Sequence, residues 1–186
     1  QSDKERLKVE IEKLKWSLIE ITLQERGELE KLDEIKNLRR QRIKPFFIWE
    51  LEFGDVFKNN GGFDVMIANP PYIQLQKRLS EDSPINYADL YENLGYETFK
   101  RIGDIYALFY ELGVNKLKPN GHLTYITSNK WMRAGYGDVL RGFFAKLNLK
   151  HLLDFGGFKV FDSATVDVNI IIVNKGINEN KLQASH

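Results

Sequence analysis

The sequence holds no cysteine, which excludes a disulfide framework, a thiolate zinc site and a cysteine nucleophile. An excess of one charge sign is also lacking. Basic residues number 27 and acidic residues 26, so the formal net charge of +1 announces no polyanionic partner. No apolar run approaches the ~20 residues that a membrane-spanning helix needs. Residues 1–15 are charged and have no apolar signal-peptide centre. The three histidines, His122, His151 and His186, are too far apart in sequence to suggest a metal site. The carboxylates within residues 10–15, Glu10 and Glu12, lie beside Lys13 and Lys15 on a helical pattern rather than in the strand-borne carboxylate cluster of a nuclease metal centre. What remains is 186 residues, 42% hydrophobic and 28% charged, the balance of a globular domain with room for an appendage. Lack of cysteine fits a reducing compartment, and a cytoplasmic protein without a membrane partner is expected.

Proline is absent from residues 3–42, and the only glycine there is Gly27. Leu7, Ile11, Leu14, Leu18 and Ile21 recur at alternating spacings of four and three, a heptad seam. Glu25 and Glu28 interrupt the seam beside Gly27, and Leu32 and Ile35 resume it. The pattern predicts a long amphipathic, coiled-coil-like helix, broken or folded into a hairpin. Packing on its own domain and self-association through this helix both remain open. Ile43-Lys44-Pro45 should end the helical segment, because proline disfavours helix in the residue before it. The expected organisation is a helical segment over 1–44, a catalytic region over 45–178 and a tail over 179–186.

Beyond proline 45 the texture changes to short apolar runs between glycine turns. Strands are expected at 46–53, 63–68, 122–127, 151–155 and 168–174. Residues 63–68, continuously apolar after Asp64, read as a buried strand. Helices are expected at 91–117 and 137–147, a polar loop at 73–90 and a turn at Lys118-Pro119-Asn120-Gly121. Strands alternating with helices predict an α/β sheet. The short connection between the last two strands predicts that they pair antiparallel at one edge.

The most informative segment is Phe63-Asp64-Val65-Met66-Ile67-Ala68-Asn69-Pro70-Pro71-Tyr72. Ligands of open α/β sheets bind beyond the carboxyl ends of strands, where Asn69 to Tyr72 fall. Two successive prolines fix the backbone and remove two N–H donors. What is left is a set of carbonyl acceptors, one side-chain amide and a flat aromatic ring. Acceptors beside a stacking surface suit a planar ligand carrying an NH2 group. Such a nitrogen is a poor nucleophile, because its lone pair is delocalised into the ring. Two acceptors on its hydrogens draw it toward tetrahedral geometry and free the lone pair to attack a sulfonium methyl. The catalysis is then positioning plus oriented dipoles.

Asn69-Pro70-Pro71-Tyr72 after an apolar strand resembles the signature of S-adenosylmethionine-dependent amino-methyltransferases acting on adenine N6. The resemblance extends over residues 46–175. Trp49-Glu50-Leu51-Glu52-Phe53-Gly54-Asp55-Val56-Phe57 resembles the family's cofactor-adenine segment. Asp104-Ile105-Tyr106-Ala107-Leu108-Phe109 resembles the helix after the catalytic loop. Leu117-Lys118-Pro119-Asn120-Gly121 resembles the turn before the next strand. Phe158-Lys159-Val160-Phe161 resembles the segment carrying a second aromatic. The whole is similar to the methyltransferases of fused type II restriction–modification enzymes and related phage-defence systems. The resemblance implies a partial Rossmann-like class I methyltransferase sheet with S-adenosyl-L-methionine as cofactor. Its partner would be double-stranded DNA with a flipped adenine. Asn69 and Pro70 would accept from the amine, with Pro71 and Tyr72 completing the catalytic loop. Tyr72 and Phe161 would stack on the base, and Asp55, Val56 and Asn69 would contact the cofactor.

Two parts of the family pattern are not visible: the glycine-rich cofactor loop with its acidic ribose partner, and a DNA-recognition domain after the last strand. A fragment of a longer protein is therefore expected. Gly156-Gly157 follows a strand but comes after the catalytic motif, so a turn is the expected role. Asp104 is read either as a helix cap or as a site residue. Trp131 and Tyr136 are candidates to face substrate, and Lys130, Arg133, Arg141 and Lys159 to contact phosphates. Two rival functions stay open: the same chemistry on protein glutamine or RNA, and a catalytically silent module working through its heptad helix.

Overall fold

A computed structural model describes residues 2–41, 47–161 and 166–186. The chain forms two compact units, Gln1–Gly54 and Asp55–His186. In the first, α1 (Ser2–Glu25) and α2 (Leu29–Arg40) are separated by a break at Gly27. Gly27 has φ +71, a left-handed conformation that glycine adopts without a Cβ penalty. Arg39 pairs with Glu20 at 2.7 Å, so α2 folds back along α1 as a helical hairpin. Leu32 is the buried residue of α2. The heptad seam of α1 is not what packs: Leu7, Ile11, Leu14, Leu18 and Ile21 are each at least half exposed. The expected helix end at Ile43-Lys44-Pro45 lies outside the described residues, as does Phe46. Of the strand expected at 46–53, Trp49–Glu52 instead forms a helical turn, α3. There Trp49 stacks on Phe53 one turn later, with ring centroids 5.9 Å apart.

The second unit is α/β, as expected. After α4 (Gly54–Asn60) come β1 (Phe63–Ala68), α5 (Tyr87–Tyr91), α6 (Tyr106–Lys116) and β2 (Leu117–Ser128). Then follow α7 (Asp138–Ala145), β3 (Asn148–Asp154), β4 (Val168–Asn174) and β5 (Gln183–Ser185). The sheet order is β1-β2-β4-β3-β5. β1 and β2 are parallel, while β4 runs antiparallel to both β2 and β3. The expected antiparallel pair is thus β3 and β4, with β4 between β2 and β3. Part of the stretch read as a tail, β5, pairs parallel to β3 outside it.

Three local readings change. β1 is an edge strand among the described residues, not a buried one: Val65 is 53% and Ile67 78% exposed. The expected helix at 91–117 holds only from Tyr106. Upstream of it, the buried Glu111 carboxylate accepts from the backbone N–H groups of Thr98 (2.9 Å) and Glu97 (3.3 Å), fixing an irregular path that a helix cannot follow. The Lys118-Pro119-Asn120-Gly121 turn is absorbed into β2 as a register shift, with Asn120 at φ 62. It is pinned there by hydrogen bonds between Asn120 and Lys175 and from Lys175 to Gly121, each 2.8 Å.

The main core joins α6, α7 and the sheet through Tyr106, Tyr110, Leu123, Tyr125, Phe144 and Ile171. A second cluster, Leu75, Ala88, Ile105 and Leu108, anchors the excursion between β1 and α6. It holds the chain that leaves β1 against the start of α6.

Candidate active site

β1 delivers Asn69-Pro70-Pro71-Tyr72 at its carboxyl end, beside the carboxyl end of its parallel neighbour β2. Pro70 is buried, Asn69 and Pro71 are exposed, and Tyr72 is half-buried. The Tyr72 hydroxyl donates to the Ile126 carbonyl of β2 at 3.3 Å, and its ring meets Tyr106 edge-on at 6.4 Å. Burial pushes the Tyr72 phenol up.

The chain then runs beside residues 103–105. Leu75 N–H donates to the Gly103 carbonyl at 2.8 Å, and Ile105 N–H to the Ile73 carbonyl at 2.9 Å. This bridge sets Asp104 opposite Gln74. A cavity of about 450 Å³ opens there, lined by Tyr72, Gln74, Lys77, Asp104, Ser128 and Lys130 among others. Its size is in the range of small-molecule sites.

Asp104 is 8% exposed, and one carboxylate oxygen accepts from the Tyr136 hydroxyl at 2.8 Å. Burial, reinforced by that carboxylate, pushes the Tyr136 phenol up to about 12. The Tyr106 hydroxyl is buried near the same carboxylate with no partner in hydrogen-bonding geometry, and burial pushes its phenol up strongly. Asp104 does not act as a side-chain cap: α6 has no side-chain cap bond, and the carboxylate serves Tyr136 instead. The sequence singled out both residues separately, Asp104 as a cap or site residue and Tyr136 as facing substrate, but carried no signal that pairs them across 32 positions.

The other candidates divide. Trp131 does not face the cavity. It is buried against Phe144, and its indole N–H donates to Asn169 at 3.2 Å. Arg141 is spent internally, donating to the carbonyls of Trp131 (2.6 Å) and Ala134 (3.0 Å). Lys130, Arg133 and Lys159 are exposed, and Lys130 lines the cavity. The Gly156-Gly157 turn is closed: Asp154 accepts from Gly156 N–H at 3.1 Å and from the Asn129 amide at 2.8 Å. Asp55 is exposed and Val56 half-buried, both on α4, and Phe161 is half-buried in an irregular segment. Asn69, Asp55, Val56 and Phe161 are not among the described residues lining the cavity beside Tyr72.

The sequence model of the Eco57I restriction-modification methylase family matches residues 1–161, helical hairpin included. The type II restriction enzyme and methyltransferase RM.Eco57I of Escherichia coli is 30% identical over 65% of this chain and 12% of its own length. A putative type II restriction enzyme and methyltransferase, RM.MjaORFECS2P of Methanocaldococcus jannaschii, is 32% identical over 73% of this chain and 10% of its own length. The type II methyltransferase M.BanIII of Aneurinibacillus aneurinilyticus is 32% identical over 62% of the chain and 20% of its own. The chain therefore spans between a tenth and a fifth of these relatives. The fold is shared with the Type ISP restriction–modification enzyme LlaGI (TM-score 0.53, 17% identity, 74% of this chain, 13% of that one). It is shared also with DrdV (TM-score 0.52, 17% identity, 73% of this chain, 16% of that one). The chain belongs to the Eco57I restriction-modification methylase family.

Proposed function

We propose that the chain carries the amine-accepting side of a site that methylates adenine N6 in double-stranded DNA, with S-adenosyl-L-methionine as cofactor. The observation that carries this reading is the exit of Asn69-Pro70-Pro71-Tyr72 from the carboxyl end of β1 beside the cavity at Tyr72. Asn69 and the Pro70 carbonyl accept the two amine hydrogens, which localises the nitrogen lone pair. The adenine leaves the duplex to reach them and stacks on Tyr72, with Phe161 as the second ring. The relatives' description as restriction–modification methyltransferases supports DNA as substrate over protein or RNA.

The chemistry of Asn69, an exposed amide at the carboxyl end of β1, suits the methyl-bearing end of the cofactor. Bound there, it supplies an electrophilic methyl on sulfonium. Asn69 and, on α4, Asp55 and Val56 are the side chains that would hold that end and the cofactor's adenine. No described residue offers a glycine-rich cradle for its methionine and ribose, since the Gly156-Gly157 turn uses its Gly156 N–H internally. The terminal position of β1 in the described sheet supports the reading that further strands, bearing that cradle, pair with its free edge. The exposure of Asn69 points the same way, because an amide acceptor is strongest only where water is excluded.

Substituting Asn69→Ala and Pro70→Ala in the full-length protein tests the assignment. Asn69→Ala removes a side-chain acceptor and should nearly abolish methyl transfer. Pro70→Ala keeps its carbonyl and should reduce transfer less. The reverse order of severity would overturn the roles assigned to these two residues.

A further inference from the structure

Five exposed basic residues of the second unit follow strands that end at one edge of the sheet. β1 and β2 are parallel, and β4 is antiparallel to both β2 and β3, so β1, β2 and β3 run in one direction. The segments after these three strands leave from one edge, the edge of the Tyr72 cavity. They carry Lys77 and Arg78 after β1, Lys130 and Arg133 after β2, and Lys159 after β3, all exposed.

Among the described residues, none of these five is paired with a carboxylate. At the opposite edge several cations are engaged. Lys118 pairs with Asp64, Lys146 with Glu97 at 3.1 Å and Lys150 with Glu179 at 2.6 Å. Lys175 donates to the carbonyls of Leu117 (2.7 Å) and Asn115 (3.2 Å). With a formal net charge of only +1 in the whole chain, unpaired cations gathered at one edge make a local field that composition does not show. Lys77 and Lys130 stand closest to the chemistry, since both line the cavity that holds Tyr72. Glu81 and Asp82, exposed on the loop after Lys77, limit the basic strip on that side.

We infer that Lys77 and Lys130 grip backbone phosphates of duplex DNA on either side of the nucleotide entering the Tyr72 cavity, with Arg78, Arg133 and Lys159 extending the strip. The inference rests on the DNA reading of the site above. It assigns the register of the backbone over the cavity, not the base specificity. Each phosphate neutralised by a lysine releases condensed counterions and steepens the dependence of log affinity on log salt by about 0.9.

The test measures binding of the full-length protein to duplex DNA across a salt series. The Lys77→Ala/Lys130→Ala double variant should lose about 1.8 from the slope, so that the affinity lost between 50 and 200 mM salt shrinks by about tenfold. Its melting temperature should not change, because both side chains are exposed and unpaired. Lys58→Ala, an exposed lysine on α4 away from this edge, should leave slope and methylation unchanged. An unchanged slope in the double variant, or an equal change in Lys58→Ala, overturns the inference. Equal competition by single-stranded RNA would assign the strip to another polyanion and overturn it too. Methylation by the wild type is scored separately: a protein that methylates adenine with an unaltered slope refutes the phosphate grip and leaves the function standing. One that shows the slope change without methylation does the opposite.

Discussion

Tyr136→Phe isolates the bond that ties the loop after β2 to the floor of the cavity. The substitution removes one hydroxyl and keeps the ring, so packing is conserved. What is lost is a 2.8 Å bond to a carboxylate that is 8% exposed. Hydrogen bonds to charged groups contribute about 1.5–3 kcal/mol, and a buried acceptor left short of a donor forfeits that much. For a unit of this size about 2 kcal/mol corresponds to a fall in melting temperature on the order of 6 °C. The loss should not be uniform in consequence. Asp104 also sits opposite Gln74 in the backbone bridge made by Gly103 and Ile105, so loosening that segment frees the chain that leaves Tyr72. Differential scanning calorimetry of wild type, Tyr136→Phe, Asp104→Ala and the double variant gives the coupling energy directly. A coupling near zero, or a Tyr136→Phe protein that melts with the wild type, would refute the pairing as a structural element.

Three further outcomes follow from the same geometry. A Cβ on Gly137 would lie 2.0 Å from the Trp131 carbonyl oxygen, which Arg141 already holds. Gly137→Ala should therefore open the loop and destabilise by at least the ~1–3 kcal/mol of an overpacked core, seen as a lower urea midpoint; an unchanged midpoint speaks against the close approach. Burial raises the phenols of Tyr72, Tyr106, Tyr110, Tyr125 and Tyr136, with Tyr125 and Tyr136 at about 12. Their contribution to stability is thus complete below the unfolded value near 10 and is lost as pH rises through about 12, so phenolate absorbance should appear late and together with unfolding. Ionisation of all eight tyrosines near pH 10 in a folded protein would contradict this. Finally, Tyr72→Ala and Phe161→Ala in the full-length enzyme should each weaken binding of an extruded base by ~1–3 kcal/mol while leaving cofactor affinity nearly intact. A Phe161→Ala enzyme that melts earlier yet stacks and methylates normally below its melting point would return Phe161 to a packing role.

The strand-then-turn signature of residues 63–72 was legible because it is local: an apolar run followed by two prolines can neither continue as a strand nor start a helix. The antiparallel placement of β4 was legible from its short connection. The edge position of β1 was not, because an apolar run reads alike whether one or both of its sides are covered. Trp49–Glu52 looked like a strand because aromatic and β-branched residues favour strands, yet the i, i+4 stacking of Trp49 on Phe53 selects a helical turn. The heptad of α1 predicted the helix but not its partner. The seam is exposed, while α2 folds back along α1 with its own Leu32 buried. Within the site, side-chain pairings such as Tyr136 with Asp104 and Arg141 with the carbonyls of its loop span sequence separations that no periodicity encodes.

Methyl transfer decides the central claim. The full-length protein is supplied with S-adenosyl-L-methionine labelled in the methyl group and with duplex DNA, and the recovered nucleosides are analysed for label. The account predicts label on the N6 amine of adenine in the wild type and a loss of about 10²–10³-fold in Asn69→Ala, the scale set by removing one preorganised polar group from a transition state. Label on cytosine, on RNA or on protein, or equal rates for wild type and Asn69→Ala, would contradict it.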